Sequence, residues 1–384
     1  MEENQNILIK PVFSRENIKE NKKVRNHGID FIRIIAMYGI VINHIIFKNK
    51  KFRKFKELKI LHILLFWHNN GFAFISGFVG YKNHKYSNLF YLWICVSFYS
   101  VIIYFLYLKY RPQFVTNDKL YYNLFPIIFR RYWFFTSYFG MYLFLPIINK
   151  GIAYLYKSEL KFCIKSIIII FVFWHDVMNL RNDIFNTNRG YSLLWLMIFY
   201  ITGAYFGKYE IKYYGNKKKN IFFFIEFLIY ILTSIIYYFI INYNMNNLTG
   251  EIKLKIIINL RQLLTENYDS NLKVIQSISI ILFLLQINYN KYLGKIISFI
   301  GTLTFGVYLI HNNQYITNDI LNNLFNNEQN NISTLSAFIL FMRKGLLIFI
   351  ICIIIDYLRY LLFNLLKIRK ICIIFDKKLF EILK

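Results

Sequence analysis

Apolar runs of about 17–25 residues recur along this chain of 384 residues, and they constrain its fold more than any other feature. A helical run of that length matches the hydrocarbon thickness of a lipid bilayer, since each helical residue rises about 1.5 Å. Of all residues, 57% are hydrophobic and only 17% are charged. The sequence therefore predicts an all-α, polytopic integral membrane protein with about ten transmembrane helices.

The predicted membrane domain covers residues 29–364. A basic tail of residues 1–28 precedes it, and a second basic tail of residues 365–384 follows it. The Asn-rich segments 241–249 and 312–331 are predicted to be exposed linkers. An even number of spans places both tails on the same side of the membrane. The predicted helices are 29–47, 61–81, 88–108, 133–149, 164–180, 191–207, 220–242, 272–289, 296–312 and 335–364.

The net charge of +27 does not indicate nucleic acid as a partner. The 47 Lys and Arg residues fall in short segments between apolar runs, with no aromatic-interleaved basic patch and no nucleic-acid-binding motif. Loops, tails and the surface of the lipid bilayer account for this charge. The loop 48–59 is predicted to lie outside, because the first span follows a cytoplasmic N-terminal tail. Its seven Lys and Arg residues oppose this placement, since the positive-inside rule favours the cytoplasmic side for a basic loop.

Metal and nucleotide motifs do not occur in this sequence. The four cysteines lie in or beside apolar runs, without the CxxC or CxxxH spacing of a metal site and without a disulfide framework. The sequence has no HExxH, GxSxG or Gly-rich nucleotide loop. We therefore predict no metal and no bound cofactor.

The first apolar run carries the polar residues Asp30, Arg33, Asn43 and His44. Eleven helical steps separate Arg33 from His44, which is three turns plus about 20°, so both side chains lie on one helix face about 16 Å apart. Ionisable groups inside a membrane usually face a polar cavity and mark function. From spacing alone, a snorkelling Arg33 and a satisfied core His44 are equally compatible. Asp30, one turn before Arg33, either orients the guanidinium or is an ordinary helix-start acid.

Other polar groups inside apolar segments are weaker candidates. The tripeptide His-Asn-Asn at 68–70 interrupts the second helix, and we expect it to line a cavity. Glu226 lies within the seventh helix without an obvious local partner, whereas Asp356 is predicted to pair with Arg359. His175–Asp176 is interpreted as a surface feature, because neighbouring side chains on a helix do not face each other.

Five fragments, in order along the chain, resemble the acyltransferase-3 family of integral membrane acyltransferases. They are IDFIRIIAMYGIVINHI (29–45), FAFISGFVG (72–80), WFFTSYFGMYLFLPII (133–148), FYITGAYFGKY (199–209) and GTLTFGVYLIH (301–311). The chain departs from the family at Thr304, where Ser is frequent, and at 73–75, where paired Phe is frequent. It resembles the family's standalone form, without an appended soluble domain.

This resemblance implies an acyltransferase that transfers groups other than aminoacyl groups. The implied co-substrate is acyl-CoA, expected to be acetyl-CoA, and the implied acceptor is a hydroxyl of a surface or lipid-linked carbohydrate. The implied location is the lipid bilayer of the bacterial inner (plasma) membrane, with both tails cytoplasmic. The alternative function is a secondary transporter of a small anionic solute, although the sequence has no internal repeat.

The resemblance also implies roles for individual residues. His44 is predicted to deprotonate the acceptor hydroxyl or to accept the acyl group transiently, and Arg33 to hold the donor, which makes both catalytic residues. Ser76 is a second predicted donor-binding residue, although close helix packing by the small residues is equally compatible. The predicted acceptor-site residues, for which packing or solvated positions are the alternatives, are His68, Trp133, Glu226 and His311.

Overall fold

A computed structural model describes the chain over residues 26–49, 55–82, 84–115, 118–174, 183, 185–210, 217–244, 267–325 and 334–382. Within these ranges the chain forms helices and no β-strand, which confirms the predicted all-α class. Residues 1–25 of the N-terminal tail, residues 50–54 of the basic loop and the pair 175–176 lie outside the described residues.

Fourteen α-helices make up the described architecture. Helices α7 and α8 each continue into a π-helical segment, at Ile169–Trp174 and Phe206–Glu210, and α12 continues into Thr317–Leu321. The helices are α1 (His27–Lys48), α2 (Lys56–Leu65), α3 (His68–Gly80), α4 (Tyr86–Tyr110), α5 (Leu120–Leu124), α6 (Trp133–Tyr154), α7 (Lys157–Ile168), α8 (Leu193–Tyr205), α9 (Lys217–Asn244), α10 (Asn271–Leu284), α11 (Lys291–His311), α12 (Gln314–Ile316), α13 (Thr334–Leu365) and α14 (Ile368–Ile382).

Four helices of the described residues are long and apolar enough to cross a membrane, namely α1, α4, α11 and α13. Two shorter apolar helices accompany them, at Asn220–Leu232 within α9 and at α10. The apolar helices indicate a membrane protein, but the predicted count of about ten spans is not confirmed. Of the other predicted spans, 61–81 is divided into two shorter helices, and the helix in 272–289 ends at Leu284.

Helix α1 lies at the centre of the bundle, packed against α3, α11 and α13. Its N-cap is Asn26, whose side chain accepts a hydrogen bond from Gly28 N at 2.9 Å. Helix α11 runs parallel to α1, since Gly294 meets His27 near one end and His311 meets His44 near the other. The helix that carries Arg33 and His44 is therefore enclosed by protein rather than by lipid.

The predicted second helix, 61–81, is divided into α2 and α3 at Phe66 and Trp67. The carbonyls at the end of α2 find partners on α10: Lys273 Nζ donates to Ile63 O, and Gln276 Nε2 donates to Leu64 O at 3.2 Å. Both α10 side chains are fully buried. Because α10 satisfies these carbonyls, the chain can leave the helix inside the protein and begin a new one at His68.

Helices α3 and α8 approach each other at backbone distance. A Cβ added at Gly77 would overlap the carbonyl of Tyr200, and one added at Gly203 would overlap the carbonyl of Phe74. Only glycine permits this approach at both positions. Gly77 therefore serves close helix packing, which was the alternative to donor binding for the segment that contains Ser76 and Gly77.

One predicted linker and the predicted C-terminal tail pack against other helices in the structure. Residues 312–325 do not form an open linker, since Asn313, Tyr315 and Phe325 are buried. The C-terminal tail forms α14, which packs on the start of α4 through Phe375 and Phe90, with ring centroids 4.7 Å apart. Its apolar residues recur with helical spacing, which the basic composition of this tail conceals.

Candidate active site

A cavity of about 480 Å³ opens between α1, α3, α4, α6 and α11. Its wall combines many apolar and aromatic side chains with a few convergent polar groups, which is typical of small-molecule sites. The polar and charged lining includes Arg33, Asn43, His44, His68, Asn69, Ser76, Asn88, Thr302, Thr304 and Arg369. The aromatic lining includes Phe66, Phe72, Tyr91, Trp133, Phe134, Tyr138, Tyr191, Tyr268 and Tyr308.

His44 and His311 form a directed hydrogen-bonded pair at this cavity. Nδ1 of His44 lies 3.1 Å from Nε2 of His311, and Nδ1 of His311 lies 2.6 Å from the carbonyl oxygen of Val307. A carbonyl only accepts, so His311 carries its proton on Nδ1 and, when neutral, accepts through Nε2. His44 then donates from Nδ1, which leaves its Nε2 unprotonated. No described residue hydrogen-bonds this Nε2, and His44 lines the cavity.

A second chain of hydrogen bonds fixes His68. Its Nδ1 lies 3.2 Å from Oδ1 of Asn69, so Nδ1 donates and Nε2 accepts from Nδ2 of Asn43 at 3.1 Å. Oδ1 of Asn43 accepts in turn from Nδ1 of His62 at 3.0 Å. The chain joins α1, α2 and α3, and it holds the His68 ring at the cavity wall beside His44.

Arg33 is held at the other end of the cavity by a buried carboxylate. Its Nη1 donates to Oδ1 of Asp30 at 3.0 Å, and Ser298 donates to Oδ2 of the same carboxylate at 2.9 Å. Asp30 is 1% exposed, whereas 32% of the Arg33 side chain is exposed. Asp30 therefore orients the guanidinium while Arg33 stays open to a ligand in the cavity.

The structure brings most of the predicted site residues together. Arg33, His44, Ser76, His68 and Trp133 all line this one cavity. The five residues lie on three different helices, α1, α3 and α6, so their proximity depends on the tertiary fold.

Two predicted acceptor-site residues lie elsewhere. His311 does not line the cavity, and it is 1% exposed behind His44, which excludes the solvated position considered for it. Glu226 also lies outside the cavity wall and accepts a hydrogen bond from Ser279 at 2.7 Å between α9 and α10. We therefore do not include Glu226 in the acceptor site proposed below.

Sequence patterns did not indicate the tyrosines and the second arginine of the cavity wall. Tyr138, Tyr191, Tyr268 and Tyr308 are four of 32 tyrosines in the chain, so composition gave no reason to single them out. Arg369 lies in the predicted tail, and only its place on the amphipathic α14 could have indicated it. Within the described residues, no group of three or more His, Cys, Asp or Glu side chains is placed to hold a metal ion.

Comparison with known proteins places most of this chain in one family. A family model described as an acyltransferase domain matches residues 26–358. Searches of curated proteins and of solved structures gave no match. The matched region contains α1 to α12 and most of α13, with both ends of the cavity, but it ends before α14 and Arg369.

Proposed function

The chain belongs to the acyltransferase-3 family, and we propose that it is a membrane O-acetyltransferase acting on a surface or lipid-linked carbohydrate. Membership of the family makes it an acyltransferase that transfers groups other than aminoacyl groups. The observation that carries the finer proposal is the unprotonated Nε2 of His44, a residue of the cavity wall that also includes Arg33. The proposed donor is acetyl-CoA, and the proposed acceptor group is a sugar hydroxyl.

The donor enters at the Arg33 end of the cavity in this proposal. A guanidinium stays charged even where water is excluded, and its planar donors suit phosphate or carbonyl oxygens. Arg33 lies about 16 Å along the helix from His44, because eleven residues each contribute about 1.5 Å. An extended pantetheine arm lies along this distance, with the thioester next to His44 and Ser76 beside the arm.

The transfer step uses His44 as a general base. Nε2 of His44 takes the proton from the acceptor hydroxyl while the hydroxyl oxygen forms a bond to the thioester carbonyl carbon. The carbon–sulfur bond then breaks, and the leaving thiolate of CoA receives the proton from the imidazolium. His311 keeps Nδ1 of His44 hydrogen-bonded throughout, which stabilises the imidazolium and fixes the ring. A transient acyl-histidine is the second route, and it would form on the same Nε2.

The acceptor lies at the His44 end against aromatic side chains. The rings of Trp133 and Tyr191 have centroids 4.6 Å apart, and both residues line the cavity. Flat aromatic faces suit the C–H face of a sugar ring, and His68 and Asn69 offer polar atoms for its hydroxyls. This combination favours a carbohydrate over a purely apolar acceptor.

The proposal is tested by mass spectrometry of surface glycans from cells with the gene, without it, and with His44→Ala at matched membrane abundance. We expect one acetyl mass on a named sugar that depends on the gene and is lost in His44→Ala. Loss of a general base alone costs about 10²–10⁴ in rate. Normal acetylation by His44→Ala would refute the catalytic role. Gene-dependent uptake of a small anion without acetyl transfer would favour the secondary transporter instead.

Purified protein tests the donor end separately. Arg33→Lys keeps the charge but loses the planar donors, so the KM for acetyl-CoA should rise about tenfold, which corresponds to about 1.4 kcal/mol. The matched control is Arg343→Lys, since Arg343 is exposed on α13 away from the cavity. Equal KM values for both variants and the wild type would show that Arg33 does not bind the donor.

A further inference from the structure

A second cavity of about 360 Å³ lies beside the first, where α14 packs on the turn between α3 and α4. It shares Asn88 and Arg369 with the larger cavity, so the two are contiguous. Its lining residues are His84, Lys85, Ser87, Asn88, Arg369, Ile373, Asp376 and Lys377. Four of these, Arg369, Ile373, Asp376 and Lys377 on α14, lie beyond the region that matches the family.

Three buried polar atoms in this cavity have no hydrogen-bond partner among the described residues. They are both ring nitrogens of His84 and Oδ1 of Asp376. The other carboxylate oxygen of Asp376 accepts from Ser87 N at 2.9 Å, so Asp376 is held in place. Buried polar atoms are almost always hydrogen-bonded, so several unsatisfied ones in one cavity indicate a polar ligand that completes them.

The charges around this cavity favour an anion. Lys85, Arg369 and Lys377 line it, and none of the three forms a salt bridge within the described part of the chain. Asp376 is the single carboxylate of the lining. Burial lowers the pKa of His84, an effect that Asp376 partly opposes, so the neutral ring offers one donor and one acceptor. A phosphate that carries a neighbouring hydroxyl or amine fits this set.

We propose that this second cavity binds the phosphorylated nucleoside end of the acyl-CoA donor, an inference that rests on the function proposed above. Lys85, Arg369 and Lys377 hold its phosphates, and Oδ1 of Asp376 accepts from a hydroxyl or amine of the nucleoside. Arg369 faces both cavities, so the pantetheine arm passes it on the way to Arg33 and His44. Helix α14 thereby completes the donor site from outside the matched region.

A lipid headgroup carries the same phosphate chemistry, but contiguity with the larger cavity favours the nucleotide. A headgroup anchored in the bilayer has no need of a passage toward His44. Acyl-CoA bound by its nucleotide end needs such a passage, because the thioester at its other end must reach His44 while the phosphates stay in the second cavity.

Direct binding gives the first test, with the full chain in nanodiscs of zwitterionic lipid. The probe is adenosine 3′,5′-bisphosphate, and titration calorimetry measures its Kd. We expect Arg369→Ala and Lys377→Ala each to weaken binding about tenfold, the loss of one charge-assisted contact. The matched controls Lys370→Ala and Lys378→Ala change neighbouring exposed residues of α14 that do not line the cavity, and they should bind as the wild type does.

Two results of this titration would overturn the proposal. If the wild type does not bind the bisphosphate, the cavity does not bind the proposed ligand. If the control variants weaken binding as much as Arg369→Ala and Lys377→Ala do, the effect comes from net charge and not from contacts in the cavity. A third arm adds anionic lipid to the nanodiscs. Competition by that lipid, with no binding of the bisphosphate in zwitterionic nanodiscs, would assign the cavity to a headgroup.

Kinetics with a truncated donor gives the second test and separates the two proposals. With acetyl-CoA, Lys377→Ala should raise KM about tenfold and leave kcat unchanged; with S-acetyl-pantetheine, which lacks the nucleotide, the same variant should match the wild type. If His44-dependent transfer occurs but Lys377→Ala matches the wild type with both donors, the nucleotide subsite is wrong and the transferase proposal stands. If the bisphosphate binds but neither donor supports transfer, the transferase proposal fails alone.

Discussion

At the scale of single residues, the bond between His44 and His311 determines which nitrogen of His44 can react. Val307 O fixes the proton of His311 on Nδ1, and this leaves Nε2 of His311 as the acceptor for His44. The relay uses a backbone carbonyl of α11, which lies one helical turn before His311 and cannot change its role. His311 is therefore a positioning residue, one side chain removed from the reacting atoms.

Substitution of His311 tests this relay. His311→Leu removes the acceptor for His44 Nδ1, so kcat should fall at least tenfold, and by at most the roughly 10⁴ that a wrong histidine tautomer costs in a serine protease. The KM for acetyl-CoA should not change, because donor contacts lie elsewhere. His311→Gln supplies an oxygen acceptor and should recover part of kcat. A merely structural role would instead give two equally inactive variants or a changed KM.

At the scale of helices, the contact between α3 and α8 fixes the position of α3, which carries His68 and Ser76. Two glycines on opposite helices, Gly77 and Gly203, bring the two backbones together. The break between α2 and α3 sets where α3 begins, because Lys273 and Gln276 satisfy the end of α2. The cavity wall on this side thus depends on helix–helix contacts rather than on helix propensity.

Gly77→Val tests the dependence of the fold on this contact. The added side chain would overlap the Tyr200 carbonyl, so the helices must separate, and overpacking of this kind costs about 1–3 kcal/mol or more. We expect a lower Tm in detergent and loss of monodisperse protein. Gly151→Val on α6 is the control, because nothing lies within 4 Å of a Cβ added there. Equal Tm values for the two variants would contradict the role of close packing.

At the scale of the whole molecule, the structure places the start of α1 and the C-terminal α14 at one end of the bundle. Ile42 on α1 meets Gly345 on α13, and Tyr38, one turn earlier on α1, meets Phe349, one turn later on α13, so these two helices are antiparallel. Helix α13 thus returns to the end where α1 begins, and α14 follows it there. The two ends of the described chain share one side, as an even number of crossings requires.

The orientation of this bundle remains a prediction, and thiol labelling tests it in a variant that lacks the four native cysteines. Lys59→Cys, at the exposed end of the basic loop, should react with an impermeant reagent on intact cells. Lys22→Cys and Lys370→Cys should react only after the membrane is opened. The reverse pattern would satisfy the positive-inside rule for the loop, but Arg33 would then face away from a cytoplasmic donor.

Local sequence patterns are enough to give the all-α class of this protein and the helix face that Arg33 and His44 share. Long apolar runs require helices in a membrane, because backbone polar groups must be satisfied within each segment. The spacing of Arg33 and His44 places both on one face of α1, since helical periodicity is a local property. The local pair of Asp356 with Arg359 is confirmed, at 2.7 Å and buried, for the same reason.

Only the tertiary structure decided what surrounds those residues. The partner of His44 lies 267 positions away in sequence, and the groups that end α2 lie more than 200 positions away. The packing of residues 312–325 and the helix α14 likewise depend on surfaces that other helices supply. Local periodicity gives the face that a residue occupies, whereas the neighbour on that face is selected by long-range packing, which no short stretch of sequence contains.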